Sequence, residues 1–278
     1  MKKSIVTIPL LALACVLVIL FGTRYAASQR DEMHEDQLDS DTHELNELEE
    51  EDDQASQSGT DVLSAYESRL DTLSLYERID YQSLLEEETK IAFYADIDME
   101  ADWTQLVLEQ LQAQATAELA VTDFTYPDLD SYELYIQQTV QSVVTEEPAF
   151  VFYGMPALPD QIRDIGLSET EEYMTFILNR LGEIENTQVV LIEPYPMIDQ
   201  IGQMNSRSLD YQSYLNRMRQ LAENRQLTVI PVHSVFMEQA EAEGTGTYFD
   251  GESLTLNAQG HQLVSEIIDS SLSATLQQ

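Results

Sequence analysis

The second half of the chain alternates short apolar runs with longer amphipathic segments. The first run, Ile91–Tyr94, is typical of a strand buried on both faces. After an acidic turn, apolar side chains recur at helical spacing from Trp103 to Leu111. This pattern predicts a strand, a turn and a helix, and it places Ala95–Ile97 at the carboxyl end of the strand. In α/β sheets that end carries the ligand or the chemistry.

The same alternation continues to the end of the chain. Predicted strands cover 91–94, 119–124, 149–153, 189–192 and 227–232, and predicted helices cover 102–117, 132–144, 169–181, 209–224 and 258–272. Strands that alternate with helices favour a parallel sheet with right-handed crossovers. The sequence therefore predicts a three-layer α/β/α sandwich around a mostly parallel sheet of four to five strands.

An amphipathic segment precedes the first strand. Its apolar stripe consists of Leu63, Tyr66, Leu70, Leu73 and Tyr76, at intervals of three and four residues. We interpret residues 61–88 as a helical linker that docks on the domain. Pairing with a second copy of the chain is the alternative, although the stripe is short for a coiled coil.

The N-terminus carries an apolar run from Ser4 to Gly22 behind two lysines. This length spans a bilayer as a helix, and the lysines favour a cytoplasmic N-terminus. The alternative is a cleaved signal peptide with Ala14-Cys15 at its processing site, but the apolar run continues past Cys15. We therefore predict a single-pass anchor over 1–23 in the cytoplasmic membrane, with the rest of the chain outside.

Acidic residues dominate the segment that follows the anchor. Asp31 to Asp53 contains thirteen acidic side chains and no Lys or Arg. Such a segment buries too little apolar surface to fold, so residues 24–60 are predicted to form a disordered stalk. His34 and His43 lie among these carboxylates, but without fixed geometry they predict no metal site.

Charge and cysteine content exclude several classes of partner and of chemistry. The formal net charge of −38 makes nucleic acid an unsuitable partner, because phosphate binding needs clustered Lys and Arg. The single cysteine, Cys15, lies in the predicted anchor, which excludes a disulfide framework and thiolate or zinc chemistry in the rest of the chain. No cofactor or metal is expected.

The end of the chain carries a more specific pattern. Asp250 is followed by Leu256-Asn257 and by Gly260-His261 at the start of the last helix. This block resembles the closing block of the SGNH/GDSL hydrolase superfamily, and the order of the upstream strands and loops agrees over about 89–272. The resemblance implies a flavodoxin-like sheet, an ester-hydrolase fold for residues 89–278, and a role for His261 in beginning the last helix.

The chemistry implied by the resemblance is absent at the matching positions. Where the family has Gly-Asp-Ser, this chain has Ala95-Asp96-Ile97, so Ile97 replaces the nucleophile. Gly154 matches the third block, but Pro156 replaces the asparagine that completes the oxyanion hole, and proline has no N–H. Thr255 stands where the family has its catalytic histidine. In the family, a glycine of the second sequence block donates its N–H to the oxyanion hole. This chain has no glycine between Gly59 and Gly154, so another residue would have to offer its backbone N–H there.

Three functional hypotheses follow. The first is a catalytically inactive domain that binds a cell-envelope glycan or protein partner through a cleft around Asp96, Met155 and Asp250. The second is an esterase or acyltransferase that acts on acylated envelope polymers or lipids with a relocated site, in which His233 is the base beside Asp96 and Asp250. The third is a spacer or assembly factor that acts through residues 61–88. Ser253 is a substitute nucleophile by type, but it lies in the block that supplies the base.

Overall fold

The computed structural model of this chain describes residues 62–86, 88–251 and 254–275. The predicted anchor (1–23) and stalk (24–60) lie outside these ranges and stay predictions, and Ser253 also lies outside them. Within the described ranges, no helix is both long enough and apolar enough to cross a membrane.

Five parallel strands form one sheet, as the sequence predicts. The strands are β1 (Thr89–Ala95), β2 (Leu119–Thr125), β3 (Phe150–Gly154), β4 (Gln188–Ile192) and β5 (Thr228–Ile230). Their spatial order is β2-β1-β3-β4-β5, with β1 hydrogen-bonded to both β2 and β3. The order reverses at β1, so the loops after β1 and β3 leave in opposite directions and open a crevice at the carboxyl edge.

Helices cover both faces of the sheet. They are α1 (Leu75–Leu85), α2 (Asp102–Gln114), α3 (Ser131–Ile136), α4 (Val140–Glu146), α5 (Ala157–Ile162), α6 (Leu167–Leu181), α7 (Tyr211–Asn224), α8 (Val232–Glu243) and α9 (Ala258–Ser273). On one face, Ile91 and Phe93 pack in a cluster with α1, α2, α8 and α9. On the other face, Ala92 and Tyr94 pack with α3, α4, α6 and α7. The alternating sides of β1 therefore supply both cores, and the three-layer prediction is confirmed.

Two predicted elements differ from the observed ones. The single helix predicted over 132–144 is two helices, α3 and α4, separated at Gln138, whose φ is 53°. The Thr139 side chain bonds to Tyr94 Oη at 2.8 Å and to the Leu134 carbonyl at 3.2 Å, which fixes the break. The last strand ends at Ile230 rather than at Val232, because Pro231 has no N–H for the ladder. The sequence analysis missed α5 and α8.

The segment before the sheet is helical in two parts. Residues 62–67 are helical, and α1 begins after Ser74. The side chains of Ser74 and Glu77 each accept a hydrogen bond from the backbone N–H of the other residue. This reciprocal cap interrupts the continuous helix predicted over 61–88. Leu75 and Ile79 are buried in the first core, and Tyr76 donates to Asp269 Oδ1 at 2.8 Å on α9. Helix α1 thus packs on the sheet domain.

Candidate functional site

A cavity of about 480 Å³ opens at the carboxyl edge of the sheet. The loops after β1, β2 and β4 surround it, and the first turns of α8 and α9 close its remaining side. Its volume lies within the range of small-molecule sites, and its position is the one at which open α/β sheets bind ligands. We refer to it as the cleft.

The turn after β1 forms one wall of the cleft. Ala95 has a φ of 67°, a left-handed conformation that costs about 1–2 kcal/mol for a residue with a Cβ atom. Its carbonyl accepts hydrogen bonds from Ile97 N at 2.8 Å and from Tyr126 N at 2.7 Å. These two bonds hold the sharp turn, so alanine keeps the geometry that glycine would adopt more easily.

Gly154 at the end of β3 lies directly against this turn. A Cβ atom on Gly154 would lie 2.4 Å from the Asp96 carbonyl oxygen and 2.6 Å from Ile97 Cγ1. Ile97 itself is 2% exposed and belongs to the first core, and it also lines the cleft. We call the turn at residues 95–97 the elbow. Because Gly154 has no side chain, the elbow can place Ile97 directly against β3.

Asp96 faces the cleft from the centre of the turn. Its Oδ1 accepts a hydrogen bond from Asp128 N at 3.3 Å, and Asp128 has a φ of 69°. Burial raises the pKa of Asp96 to about 7; the Asp128 N–H opposes this shift, whereas the negative charges of Asp128 and Asp160 add to it. Asp128 therefore supplies a backbone N–H to this wall from a conformation typical of glycine. The sequence did not single out this residue, although the Pro127-Asp128 turn was visible.

His233 does not face the cleft, contrary to the prediction. It lies in the first turn of α8, is buried, and its Nε2 is 2.7 Å from Tyr211 Oη on α7. Burial lowers its pKa to about 4, with a further lowering from Arg219 that Glu193 opposes. Because the strand ends before Pro231, helix α8 starts early and directs His233 towards α7. His233 is neutral near pH 7 and joins two helices.

The other predicted positions divide between the cleft and its surroundings. Thr255 lines the cleft, whereas Asp250 is exposed and does not. The Asp250 N–H donates to the Thr255 carbonyl at 2.9 Å, so the pair forms a turn. Met155 is fully buried in the second core, and Pro156 begins α5. The structure thus brings Asp96, Ile97 and Thr255 to one cavity and leaves Asp250, Met155, Pro156 and His233 outside its lining.

The cleft contains residues that the sequence analysis assigned no binding role. His261, in the first turn of α9, lines it, and no described residue bonds to its buried Nδ1 atom. Trp103 and Tyr195 supply aromatic surface. The acidic residues that line the cleft are Asp96, Asp98, Glu100, Asp102, Asp128 and Glu193. In the described part of the chain, no three His, Cys, Asp or Glu side chains are arranged to hold a metal ion.

A second buried carboxylate lies behind the cleft. Asp160 on α5 accepts hydrogen bonds from Ser131 N at 2.6 Å, from Ser131 Oγ at 2.8 Å and from Thr170 Oγ1 at 2.6 Å. Burial raises its pKa to about 6; these hydrogen bonds oppose the shift, and the nearby charge of Asp130 adds to it. Asp160 joins α5 to α3 and α6 and does not line the cleft.

Comparison with known proteins supports the fold. No family model matches the chain, and no curated protein is similar to it in sequence. It is similar in structure to a GDSL-like lipase from Parabacteroides merdae, with a TM-score of 0.54 and 16% identity over 66% of this chain and 95% of that one. An acetyl xylan esterase gives a TM-score of 0.51 and 18% identity over 66% and 98%. The acetylxylan esterase of Geobacillus stearothermophilus gives 0.53 and 13% over 66% and 94%. The chain has an SGNH/GDSL hydrolase-like fold.

The contact between Gly154 and the β1 turn is testable. We expect Gly154→Ala to lower the free energy of unfolding of the full chain by roughly 2–3 kcal/mol, because its Cβ would overlap backbone and core atoms. Gly246→Ala is the control, since no atom lies within 4 Å of its Cβ position, and its effect should stay within about 0.5 kcal/mol. Urea unfolding measures both. Equal effects of the two substitutions would contradict the close contact.

The raised pKa values of Asp96 and Asp160 predict a pH dependence of stability. Both carboxyl groups hold protons more tightly in the folded chain than in the unfolded chain, where their pKa is about 4. Their stabilising contribution is therefore complete below about pH 4 and is lost as the pH rises towards about 7. We expect the free energy of unfolding to fall over this window.

Substitution of Asp160 separates this effect from the general repulsion of an acidic chain. Asp160→Asn imitates the protonated carboxyl and keeps an acceptor for Ser131 N. Its stability should fall less steeply from about pH 4 to about pH 6 than that of the wild type, because this is the interval between the unfolded and folded pKa values of Asp160. The control, Asp71→Asn, removes an exposed carboxylate and should keep the wild-type slope. A wild-type slope for Asp160→Asn would refute the assignment.

Proposed function

We propose that this SGNH/GDSL-like domain lies outside the cytoplasmic membrane and binds a cell-envelope glycan in the cleft without hydrolysing esters. The observation that carries the proposal is the buried Ile97 at the elbow, packed against Gly154. Nucleophilic ester hydrolysis needs an activated hydroxyl or thiol at the point where the carbonyl is attacked. An isoleucine side chain has no lone pair to donate and cannot form an acyl intermediate.

Other features of the cleft support the loss of the usual hydrolytic mechanism. Pro156 has no N–H and is buried at the start of α5, so it contributes no donor to an oxyanion. Thr255 lines the cleft, but a neutral hydroxyl does not accept a proton near neutral pH. Loss of nucleophile, donor and base together removes most of the rate acceleration in serine hydrolases.

The lining of the cleft supports glycan binding. Tyr195, with the small exposed part of Trp103, presents aromatic surface, against which the C–H faces of sugar rings pack. Carboxylates such as Asp98 and Glu100 accept hydrogen bonds from sugar hydroxyl groups. A cavity with aromatic walls and several polar acceptors matches the general composition of small-molecule sites.

The predicted anchor completes the proposal. Lys2 and Lys3 before the apolar run favour export of everything after residue 23, and the acidic stalk would give the domain reach from the membrane. Protease added to intact cells should digest the domain; survival until lysis would contradict this orientation.

A relocated esterase is the second candidate, and one observation favours it. His261 lines the same cavity as Thr255 and Asp96, and its Nδ1 has no partner within the described ranges. A histidine in that position is a base by type. It therefore replaces His233 as the residue on which this candidate depends.

An ester assay distinguishes the two candidates. The purified full chain should hydrolyse p-nitrophenyl acetate no faster than a buffer blank, in low salt and in molar salt, because the elbow has no nucleophile. Acetylated xylan oligomers provide a second substrate with a carbohydrate leaving group.

Turnover above the blank would require variants to locate its source. Activity that disappears in His261→Ala and persists in His233→Gln would overturn the proposal and establish the relocated esterase. Activity lost in Ser253→Ala would do the same and would identify that serine as the nucleophile.

A further inference from the structure

We infer that the ligand of the cleft carries positively charged amino groups, as an amino-sugar polymer with free amines does. This inference rests on the proposed binding function and specifies its ligand. Its basis is the set of charges that line the cavity, together with a tryptophan whose indole N–H has no partner among the described residues.

The charge of the cleft has one sign. Six acidic side chains line it, and of the described residues in its wall none is Lys or Arg. In the described part of the chain, Asp96, Asp98, Glu100, Asp102 and Asp128 form no ion pair. Four carboxylates and Asp96, which is partly protonated near pH 7, therefore surround one cavity, and no described residue supplies a cation that pairs with them.

Glu193 shows how the protein neutralises a carboxylate that it uses for structure. Its two oxygens accept hydrogen bonds from Arg219 Nε at 2.5 Å and from Arg219 Nη2 at 2.8 Å. Arg219 is further held by Ser234 and Asn216. The arginine beside the cleft is thus committed to one carboxylate, and the others remain available to a cation from outside.

Trp103 supplies an independent indication of a ligand. It lines the cleft and is only 6% exposed. Its indole N–H makes no hydrogen bond to any described residue, and Nε1 is not fully buried. A largely buried tryptophan in the wall of a cavity, with an N–H that no described residue uses, offers a donor for a ligand oxygen.

The negative charges converge on the second aromatic residue of the cleft. Burial raises the pKa of Tyr195, and the charges of Asp96, Asp98 and Asp128 raise it further. Tyr195 therefore stays a neutral phenol within a negative field. An ammonium group near this ring would gain attraction both from the carboxylates and from the aromatic face.

These features discriminate between classes of polymer. A polymer rich in phosphate or carboxylate would place like charges against the cleft, which weakens binding strongly. A neutral glycan would use the aromatic rings but leave the repulsion between the carboxylates unrelieved. A glycan with free amines contacts the aromatic rings and also pairs its ammonium groups with the carboxylates, so its positive charge should increase affinity.

Trp103 also provides the readout, because it is the only tryptophan of the chain. Its fluorescence reports binding in the cleft and is insensitive to cations that collect on the acidic residues 31–53. We propose to titrate the full chain with a tetramer of glucosamine, which has free amines, and with a tetramer of N-acetylglucosamine, which is neutral. The glucosamine tetramer should bind at least about tenfold more tightly, and added salt should weaken its binding.

Two charge-neutral variants test the position of the amines. Glu100→Gln and Asp98→Asn should each weaken binding of the glucosamine tetramer by roughly two- to fivefold, as expected for loss of one partly exposed charge. Asparagine keeps the acceptor that Asp98 Oδ1 offers to Glu100 N at 2.9 Å. The control, Glu109→Gln, removes an exposed carboxylate from α2 outside the cleft lining and should leave affinity unchanged.

Each contrary outcome has a defined meaning. Equal affinity for the two tetramers would overturn the inference and leave glycan binding in place. The absence of any fluorescence change with either tetramer would overturn the inference as well. Equal weakening by Glu109→Gln and Glu100→Gln would show general attraction to an acidic chain and would also overturn it. The ester assay is independent of all three outcomes, so failure of the proposed lack of hydrolysis is recognised separately.

Discussion

The cleft depends on the contact between the β1 turn and Gly154. The turn brings the backbone of Asp96 and the side chain of Ile97 so close to β3 that no Cβ atom fits at position 154. Ala95 holds the left-handed conformation that this turn requires, with its carbonyl bonded to two backbone N–H groups. Because these contacts fix the elbow, the Asp96 carboxyl group faces the cavity and Ile97 lines its base. The same geometry that would expose a serine in a hydrolase here buries an isoleucine.

Asp160 and Asp96 are two carboxyl groups near this edge with different surroundings. Asp160 accepts hydrogen bonds from three donors and joins three helices, so its acceptor capacity is used for structure. Asp96 has one long hydrogen bond from Asp128 and opens to a cavity with other acids. Repulsion between neighbouring acids lowers stability, and destabilised sites of this kind are typical of functional positions. The contrast favours Asp96 over Asp160 for the proposed binding role.

The sequence predicts the sheet well because the central strands β1, β3 and β4 are short apolar runs between turn signals, and most of their residues are buried. It predicts the side chains of the cleft less well. His233 seemed to follow a strand, but Pro231 ends that strand early and α8 carries the histidine towards Tyr211. The positive φ of Asp128 and the break at Thr139 depend on tertiary hydrogen bonds, which periodicity does not encode. His261 is identified from the closing block only as the start of the last helix, and its place in the cleft depends on how that helix packs against the sheet.

The central claim is that the elbow holds no reactive nucleophile while the cleft keeps its shape. The most direct measurement is the intact mass of the full chain after incubation with an excess of a fluorophosphonate, which reacts with activated serine hydroxyls. With Ile97 at the elbow, the account predicts an unchanged mass. A stoichiometric adduct of one phosphonyl group, located by peptide mapping to a residue of the cleft, would contradict it.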